Sequence, residues 1–235
     1  MSQQEDKTKS AFQPKDWNEI QTADTWSIFK ILSELVQGFN KLSKIGPCVS
    51  IFGSARTKPD NKYFKLAEEI AYKLTKSGYG IITGGGPGIM EAGNMGAKKG
   101  GGKSVGLNID LPFEQSANLF IDPEKLINFE HFFVRKVMFV KYAQGFIVLP
   151  GGFGTMDEMF EAITLIQTEK IGKFPIILVG KEYWEGLFDW IKKVVLKEKN
   201  ISEKNLQLVQ LVDTADEVVD HINAFYSKYV LSPNF

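Results

Sequence analysis

From residue 48 onward, short apolar runs alternate along this chain with amphipathic stretches, and glycine, proline or polar residues separate them. The apolar runs predict strands at residues 49–52, 79–83, 104–109, 126–129, 146–149, 175–180 and 208–212. Apolar residues at helical spacing predict helices at residues 61–77, 89–99, 132–143, 155–169, 183–197 and 214–228. Strands that alternate with helices are typical of a doubly wound, mostly parallel sheet. We therefore predict one α/β domain over residues 46–230.

The segment before this domain divides into two parts. Residues 1–23 are polar and aperiodic, which predicts a mobile N-terminal arm. Residues 24–45 carry apolar side chains at helical spacing, from Trp26 to Leu42, and predict an N-terminal helix. Its apolar stripe is wide for a surface helix, so it either covers the domain or faces a partner subunit, and burial in the core is the simpler expectation.

Three of the predicted strands, at residues 49–52, 79–83 and 146–149, are followed within two residues by glycine and lead towards a helix. Backbone N–H groups and the helix dipole make such a junction a site for anions, and ligands of open parallel sheets bind beyond the carboxyl ends of the strands. Ser54 also suits a plain turn. The candidate binding residues at these junctions are Gly53, Ser54, Gly84, Gly85, Gly86, Gly151, Gly152, Gly154 and Thr155.

Two acids near these turns each have two interpretations. Thr155 occupies the N-cap position of a predicted helix, and Glu158 three residues later would complete a capping box. Glu158 would otherwise be a catalytic carboxylate one turn above a bound phosphate. Glu91 lies in the first turn of the helix at 89–99, where the dipole favours an acid. Its functional interpretation is a hydrogen bond to a ribose hydroxyl or to a base.

Arg135 and Lys136 do not fit the apolar face of the helix at 132–143. A solvated helix edge is the commonest position for such a pair. Because they precede the strand that ends at Pro150, they can instead reach the anion site beyond it. Arginine gives planar, bidentate recognition of phosphate or carboxylate.

Two sequence blocks give the chain a family resemblance. The first is Arg135-Lys136 followed by P-G-G-F-G-T-M-D-E at residues 150–158, and the second is G-G-G-P-G-I-M-E-A at residues 84–92. Both blocks, in their order along the chain, resemble the LONELY GUY family of cytokinin riboside 5′-monophosphate phosphoribohydrolases over roughly residues 45–225. The resemblance implies a Rossmann-like fold, a homodimer and hydrolysis of the N-glycosidic bond of a nucleoside 5′-monophosphate. It implies Arg135 and Glu158 as catalytic residues, Lys136 and Glu91 among the substrate-binding residues, and no metal or other cofactor.

Other functions stay open at this point. The base could be adenine itself, which would make the protein an AMP nucleosidase, or the same fold could carry a nucleotide or cofactor without turnover. Relatives of this kind are often labelled lysine decarboxylases, but we find no motif for a pyridoxal phosphate Schiff-base lysine. Residues 97–104 resemble a P-loop, yet they follow a predicted helix and precede a strand, the reverse of the order that a P-loop requires.

Composition narrows the class of partner. Lys and Arg together number 28 and Asp and Glu number 28, so no net charge favours nucleic acid or a membrane surface. Cys48 is the single cysteine, and His131 and His221 lie far apart, so a disulfide and a zinc site are not expected. The polar N-terminus lacks the apolar region of a signal peptide, and no apolar run approaches the roughly 20 residues of a membrane span. We therefore expect a cytoplasmic protein.

Overall fold

The computed structural model describes residues 17–111 and 116–235, with the backbone alone for residues 17–23. The chain divides after Gln37 into two units. The described part of the first unit belongs to helix α1 (Trp17–Leu42). This helix begins inside the range that we predicted as an arm, because no glycine or proline interrupts the chain between Trp17 and Gln37. Residues 1–16 of the predicted arm lie outside the described residues.

Most of the apolar stripe on α1 is exposed. Trp26, Phe29, Leu32 and Val36 each expose half or more of their surface, whereas Leu42 at the end of the helix is buried. The expectation that the stripe belongs to the core was therefore wrong for these four residues. An exposed apolar face of this size is typical of a protein interface.

The second unit contains a seven-stranded parallel sheet flanked by helices, which confirms the predicted Rossmann-like α/β fold. Its strands are β1 (Cys48–Phe52), β2 (Gly80–Thr83), β3 (Ser104–Ile109), β4 (Leu126–Phe129), β5 (Ala143–Val148), β6 (Ile176–Val179) and β7 (Val209–Val212). Its helices after α1 are α2 (Lys62–Lys76), α3 (Ile89–Gly100), α4 (Phe132–Tyr142), α5 (Phe153–Gln167), α6 (Lys181–Trp190), α7 (Glu203–Leu206) and α8 (Ala215–Tyr226).

The strand order creates a switch point beside β1. The order across the sheet is β4-β3-β2-β1-β5-β6-β7, so the chain first builds outward from one side of β1 and then returns to its other side. Cys48 at the start of β1 pairs with Gly80 of β2 and with Ala143 of β5. A crevice opens at the carboxyl ends of the strands where the direction of winding reverses.

Burial of the sheet on both faces explains why its strands read as continuous apolar runs. Every residue of β1, β2, β5 and β6 is buried. Burial also raises the pKa of the Cys48 thiol to about 12, so this cysteine is an inert part of the core. Among the described residues, none of the helices combines the length and the apolar character that a membrane span requires.

Some helix limits differ from the sequence-based prediction. Helix α5 begins at Phe153, two residues before the predicted start at Thr155. The predicted helix at 183–197 is an α-helix only to Trp190 and continues as a π-helical segment, Ile191–Leu196. In its aromatic-rich first part Trp184 is fully buried, while Tyr183 and Trp190 are exposed.

Candidate active site

A cleft of about 620 Å³ lies where the carboxyl ends of β1, β2, β3 and β5 meet. It contains most of the residues that the sequence analysis singled out, although they lie up to about 100 positions apart in the chain. The predicted residues that line it are Gly53, Ser54, Gly84, Gly86, Arg135, Gly152, Gly154, Thr155 and Glu158. The sheet therefore brings the glycine-rich turns and both candidate catalytic residues to one place.

Arg135 and Glu158 form a buried pair in this cleft. Nη2 of Arg135 lies 3.8 Å from Oε1 of Glu158, and their side chains are only 13% and 5% exposed. The expectation of a solvated helix edge does not apply to Arg135, because α4 directs it inward. Its guanidinium lies over the rings of Phe132 and Phe139, at 5.1 and 5.8 Å from the ring centres.

Burial perturbs the protonation of both groups. Removal from water raises the pKa of Glu158 to about 7, although the positive charges of Arg135 and Lys136 act in the opposite direction. Removal from water likewise lowers the pKa of Arg135, and Glu158 partly offsets this. Nε of Arg135 and Oε2 of Glu158 are buried and have no hydrogen-bond partner among the described residues. Such groups are typical of sites that act on a ligand.

The second glycine-rich turn, residues 151–155, runs into α5 without a side-chain cap. Gly152 is the N-cap residue, and it carries no side chain that could bond the first N–H groups. Thr155 is thus the third residue of the helix and is buried, and its side chain packs where a side chain on Gly151 would lie. Of the two interpretations of Glu158, the capping box with Thr155 is therefore wrong, because the helix begins earlier and Glu158 faces its buried side.

The first glycine-rich turn, residues 84–88, is held by an interlocked set of polar side chains. The Asn118 side chain donates to the carbonyl oxygens of Gly85 and Gly86 at 3.1 and 3.0 Å. It also donates to Oδ1 of the fully buried Asn94, which accepts a hydrogen bond from Thr83. These bonds fix a turn whose glycine backbone lines the cleft.

Gly88, the last residue of this turn, has no room for a side chain. Its φ of +69° lies in the region that favours glycine, and a side-chain carbon there would lie 2.4 Å from the carbonyl oxygen of Ser54. The N–H of Ile89 donates to that same oxygen at 3.1 Å. The start of α3 therefore packs directly on the turn that follows β1.

Ser54 connects the two glycine-rich turns. Its N–H donates to the carbonyl of Pro150 at 3.0 Å, and its carbonyl accepts from Ile89. Its hydroxyl accepts from the N–H of Arg56 at 3.1 Å, so the turn role that we considered for Ser54 is present. Ser54 and Gly53 also line the cleft. The two roles are compatible, because the hydroxyl keeps a hydrogen to donate.

Four predicted binding residues lie outside the cleft lining. The amine of Lys136 lies 2.9 Å from Asp157 and 3.1 Å from Glu161. Gly85 contacts Asn118, and the carbonyl of Gly151 accepts a hydrogen bond from Tyr183. Glu91 is half-buried in the first turn of α3. Gly85 and Gly151 thus belong to hydrogen bonds that hold the two turns, and Lys136 is paired with two acids of α5.

The cleft also contains residues that the sequence analysis missed. Arg56 follows the β1 turn, and Asn108 lies at the end of β3. Phe132 and the almost fully exposed Phe153 add aromatic surface. Arg56 could have been found from composition, because the sequence contains two arginines and the other is Arg135.

Residues 90–222, more than half of the chain, match the family described as "Possible lysine decarboxylase". The chain belongs to this family. The matched residues include the Arg135–Glu158 pair and the second glycine-rich turn. In the described part of the chain, no group of His, Cys, Asp and Glu could hold a metal ion.

The family description names a reaction that uses pyridoxal phosphate, and the residues of the cleft do not suit that cofactor. Pyridoxal phosphate is held through a Schiff base to a lysine amine. None of the described residues that line the cleft is a lysine, and Lys136 is paired with two carboxylates. We therefore derive no step from this cofactor.

This chain is similar to two cytokinin riboside 5′-monophosphate phosphoribohydrolases. One, from Arabidopsis thaliana, is 27% identical over 187 residues, which cover 78% of this chain and 84% of the relative. The other, from Oryza sativa subsp. japonica, is 27% identical over 180 residues, which cover 75% of this chain and 72% of the relative. These relatives confirm the resemblance to the LONELY GUY family that the two sequence blocks indicated.

Solved structures show the same fold. The molybdenum cofactor binding protein of Rippkaea orientalis gives a TM-score of 0.54 at 20% identity and covers 77% of this chain and 97% of its own. The Moco carrier protein of Chlamydomonas reinhardtii gives a TM-score of 0.54 at 18% identity, and the match covers 78% of this chain and 99% of the carrier protein. At these identities the likeness concerns the fold alone.

Proposed function

We propose that this protein hydrolyses the N-glycosidic bond of a nucleoside 5′-monophosphate and releases the free base and ribose 5-phosphate. The observation that carries the proposal is the buried pair of Glu158 and Arg135 in a cleft bordered by two glycine-rich turns. A protein that only binds nucleotides needs such turns, but it has no need of a buried carboxylate beside them.

Glu158 suits the charge that develops in this reaction. Cleavage builds positive oxocarbenium character on the ribose, which a nearby carboxylate stabilises, and the same carboxylate can activate the attacking water. Oε1 of Glu158 faces Arg135, while Oε2 is buried and has no hydrogen-bond partner among the described residues. With a pKa of about 7, the carboxyl is close to half ionised at neutral pH.

The second glycine-rich turn suits the 5′-phosphate. Gly152 and Gly154 offer backbone N–H groups at the uncapped start of α5, where the helix dipole favours an anion. Glu158 lies on the same helix, about one turn further along. A phosphate bound at the start of α5 would therefore hold the ribose beside the carboxylate and supply orientation.

The base would occupy the apolar part of the cleft. Phe52, Met90, Phe132 and Phe139 provide apolar surface that suits a purine ring. The curated relatives act, by their names, on cytokinin riboside 5′-monophosphates. We infer an AMP-like substrate that carries either adenine or an N6-substituted adenine.

We infer that the protein forms a homodimer or a larger even assembly. Trp26, Phe29, Leu32 and Val36 form an exposed apolar face on α1, and Trp190 on α6 is also exposed. Isologous contacts between two copies would remove such faces from water.

Product analysis with a panel of nucleotides tests the reaction. Nucleosides and their mono-, di- and triphosphates are incubated with the protein, and chromatography measures base release. We expect release of the base from AMP or from an N6-substituted AMP. A protein that binds AMP without any base release would be a nucleotide carrier of the same fold.

A further inference from the structure

Arg56 lies in the cleft, and no described residue provides it with a counter-charge. The charged residues among the described lining of the cleft are Arg56, Arg135 and Glu158. Arg135 is paired with Glu158, and no carboxylate of the described residues forms an ion pair with the exposed Arg56. The described part of the lining therefore carries one more positive than negative charge when Glu158 is ionised, and two more when it is protonated. Such a cleft favours an anionic ligand.

Arginine at this position is unusual for this chain. Lys and Arg together number 28, yet only two of them are arginines, and both line the cleft. Lysine serves as the cation elsewhere in the chain. The guanidinium differs from an amine in its planar set of donors, which binds phosphate or carboxylate through two hydrogen bonds at once.

The backbone places Arg56 next to both glycine-rich turns. Its N–H donates to the hydroxyl of Ser54 at 3.1 Å, which fixes the tight turn after β1. The N–H of Ser54 donates to Pro150, the residue just before the second turn, and the carbonyl of Ser54 accepts from Ile89, just after the first. Arg56 is thus attached two residues from the point where the turns meet.

We propose that Arg56 is a substrate-binding residue that recognises the phosphate of the nucleotide. It would approach from the β1 side of the cleft, while the backbone N–H groups at the start of α5 approach from the β5 side. This inference rests on the proposed function, since it assigns a further contact to the same substrate. Its chemistry favours a dianionic monophosphate over the uncharged nucleoside.

Binding measurements on matched variants test the proposal. Arg56→Gln removes the charge, Arg56→Lys keeps the charge without the planar fork, and Lys58→Gln removes an exposed charge of the same loop outside the cleft lining. Calorimetry measures the affinity of each variant, and of the unaltered protein, for AMP and for adenosine, with Glu158→Gln present in every protein so that AMP is not consumed during the titration. Melting temperatures establish that every variant is folded.

We expect Arg56→Gln to weaken AMP binding roughly 10- to 100-fold, as for a lost charge-assisted hydrogen bond, with adenosine binding unchanged. Arg56→Lys should recover part of the loss, and Lys58→Gln should bind AMP like the wild type. Equal loss of AMP and adenosine affinity in Arg56→Gln, or no loss of either, would overturn the proposal. Because binding needs no turnover, wild-type protein that binds AMP through Arg56 without releasing base contradicts the hydrolase and leaves this inference standing.

Discussion

Nη2 of Arg135 lies 3.8 Å from Oε1 of Glu158, and the protein around both groups excludes most of the surrounding water. Arg135 comes from α4 before β5, and Glu158 comes from α5 after it. The strand thus delivers a cation and an acid to the same cleft. Burial lowers the pKa of Arg135 and raises the pKa of Glu158. Both shifts favour the neutral form, so each charge is less stable in this cleft than it would be in water.

The first prediction concerns the charge of Glu158. Glu158→Gln keeps the shape of the side chain but cannot stabilise a developing cation, so kcat for base release should fall about 10²–10³-fold. Asp157→Asn is the matched control, because this exposed acid on the same helix does not line the cleft. Steady-state kinetics of both variants decide the matter. Equal rates for Glu158→Gln and the wild type would move the catalytic role to another acid.

Glu158→Gln should lower the activity of the protein but raise its stability. The pKa of this carboxyl is raised from 4.5 to about 7, so between these pH values the folded protein holds a proton that the unfolded chain has released. The contribution of Glu158 to stability therefore falls as the pH rises through this window. Glu158→Gln cannot ionise, and its free energy of unfolding should exceed that of the wild type by up to about 3 kcal/mol at pH 8.

Denaturant unfolding at pH 4.5 and pH 8 measures this difference. The two proteins should be similarly stable at the lower pH and diverge at the higher one. A gap that is the same at both pH values would mean that Glu158 titrates normally in the folded protein.

The rate of hydrolysis should follow the same ionisation. If the carboxylate is the active form, kcat/KM should rise with pH and level off above an apparent pKa of about 7. A pH–rate profile with AMP provides the measurement. Activity that is greatest well below pH 6 would show that the protonated acid is required instead.

The substrate should need its 5′-phosphate. The start of α5, which has no side-chain cap, and Arg56 in the cleft lining both favour an anion. Their binding energy would serve to orient the ribose, so kcat/KM for AMP should exceed that for adenosine by about 10³-fold or more. Parallel assays of the two compounds provide the comparison, and a nucleoside that reacts as fast as its monophosphate would count against the phosphate site.

Light scattering at micromolar concentration tests the inferred assembly. The exposed apolar residues of α1 lead us to expect twice the monomer mass of 26.4 kDa or a larger even multiple. Phe29→Glu together with Leu32→Glu should shift the mass towards the monomer, because each places a charge on the apolar face. A monomeric mass for the wild type contradicts the inference directly.

The fold was predictable because burial leaves a clear mark on the sequence. The strands of this sheet are buried on both faces and therefore appear as apolar runs, and glycines follow β1, β2 and β5 where the cleft lies. The start of α5 was not predictable from the same rules. Thr155 and Glu158 have the spacing of a capping box, but Gly152 lets the helix begin earlier and turns both residues inward.

To predict which residues line the cleft, the strand order is needed as well. Arg56 follows β1 and Asn108 lies near the end of β3, so their meeting depends on which strands are neighbours and where the winding reverses. Periodicity gives the elements but not that arrangement. The exposed stripe on α1 has a similar explanation, because helical spacing identifies an apolar face without showing what covers it.

The most direct test of the proposed function is the stoichiometry of products from AMP at pH 8, with wild-type protein and Glu158→Gln side by side. Free adenine is measured by chromatography and ribose 5-phosphate by a coupled assay. We predict one ribose 5-phosphate for each adenine with the wild type, and at least 10²-fold slower release of both with the variant. Binding of AMP by folded wild-type protein with no adenine released would contradict the account.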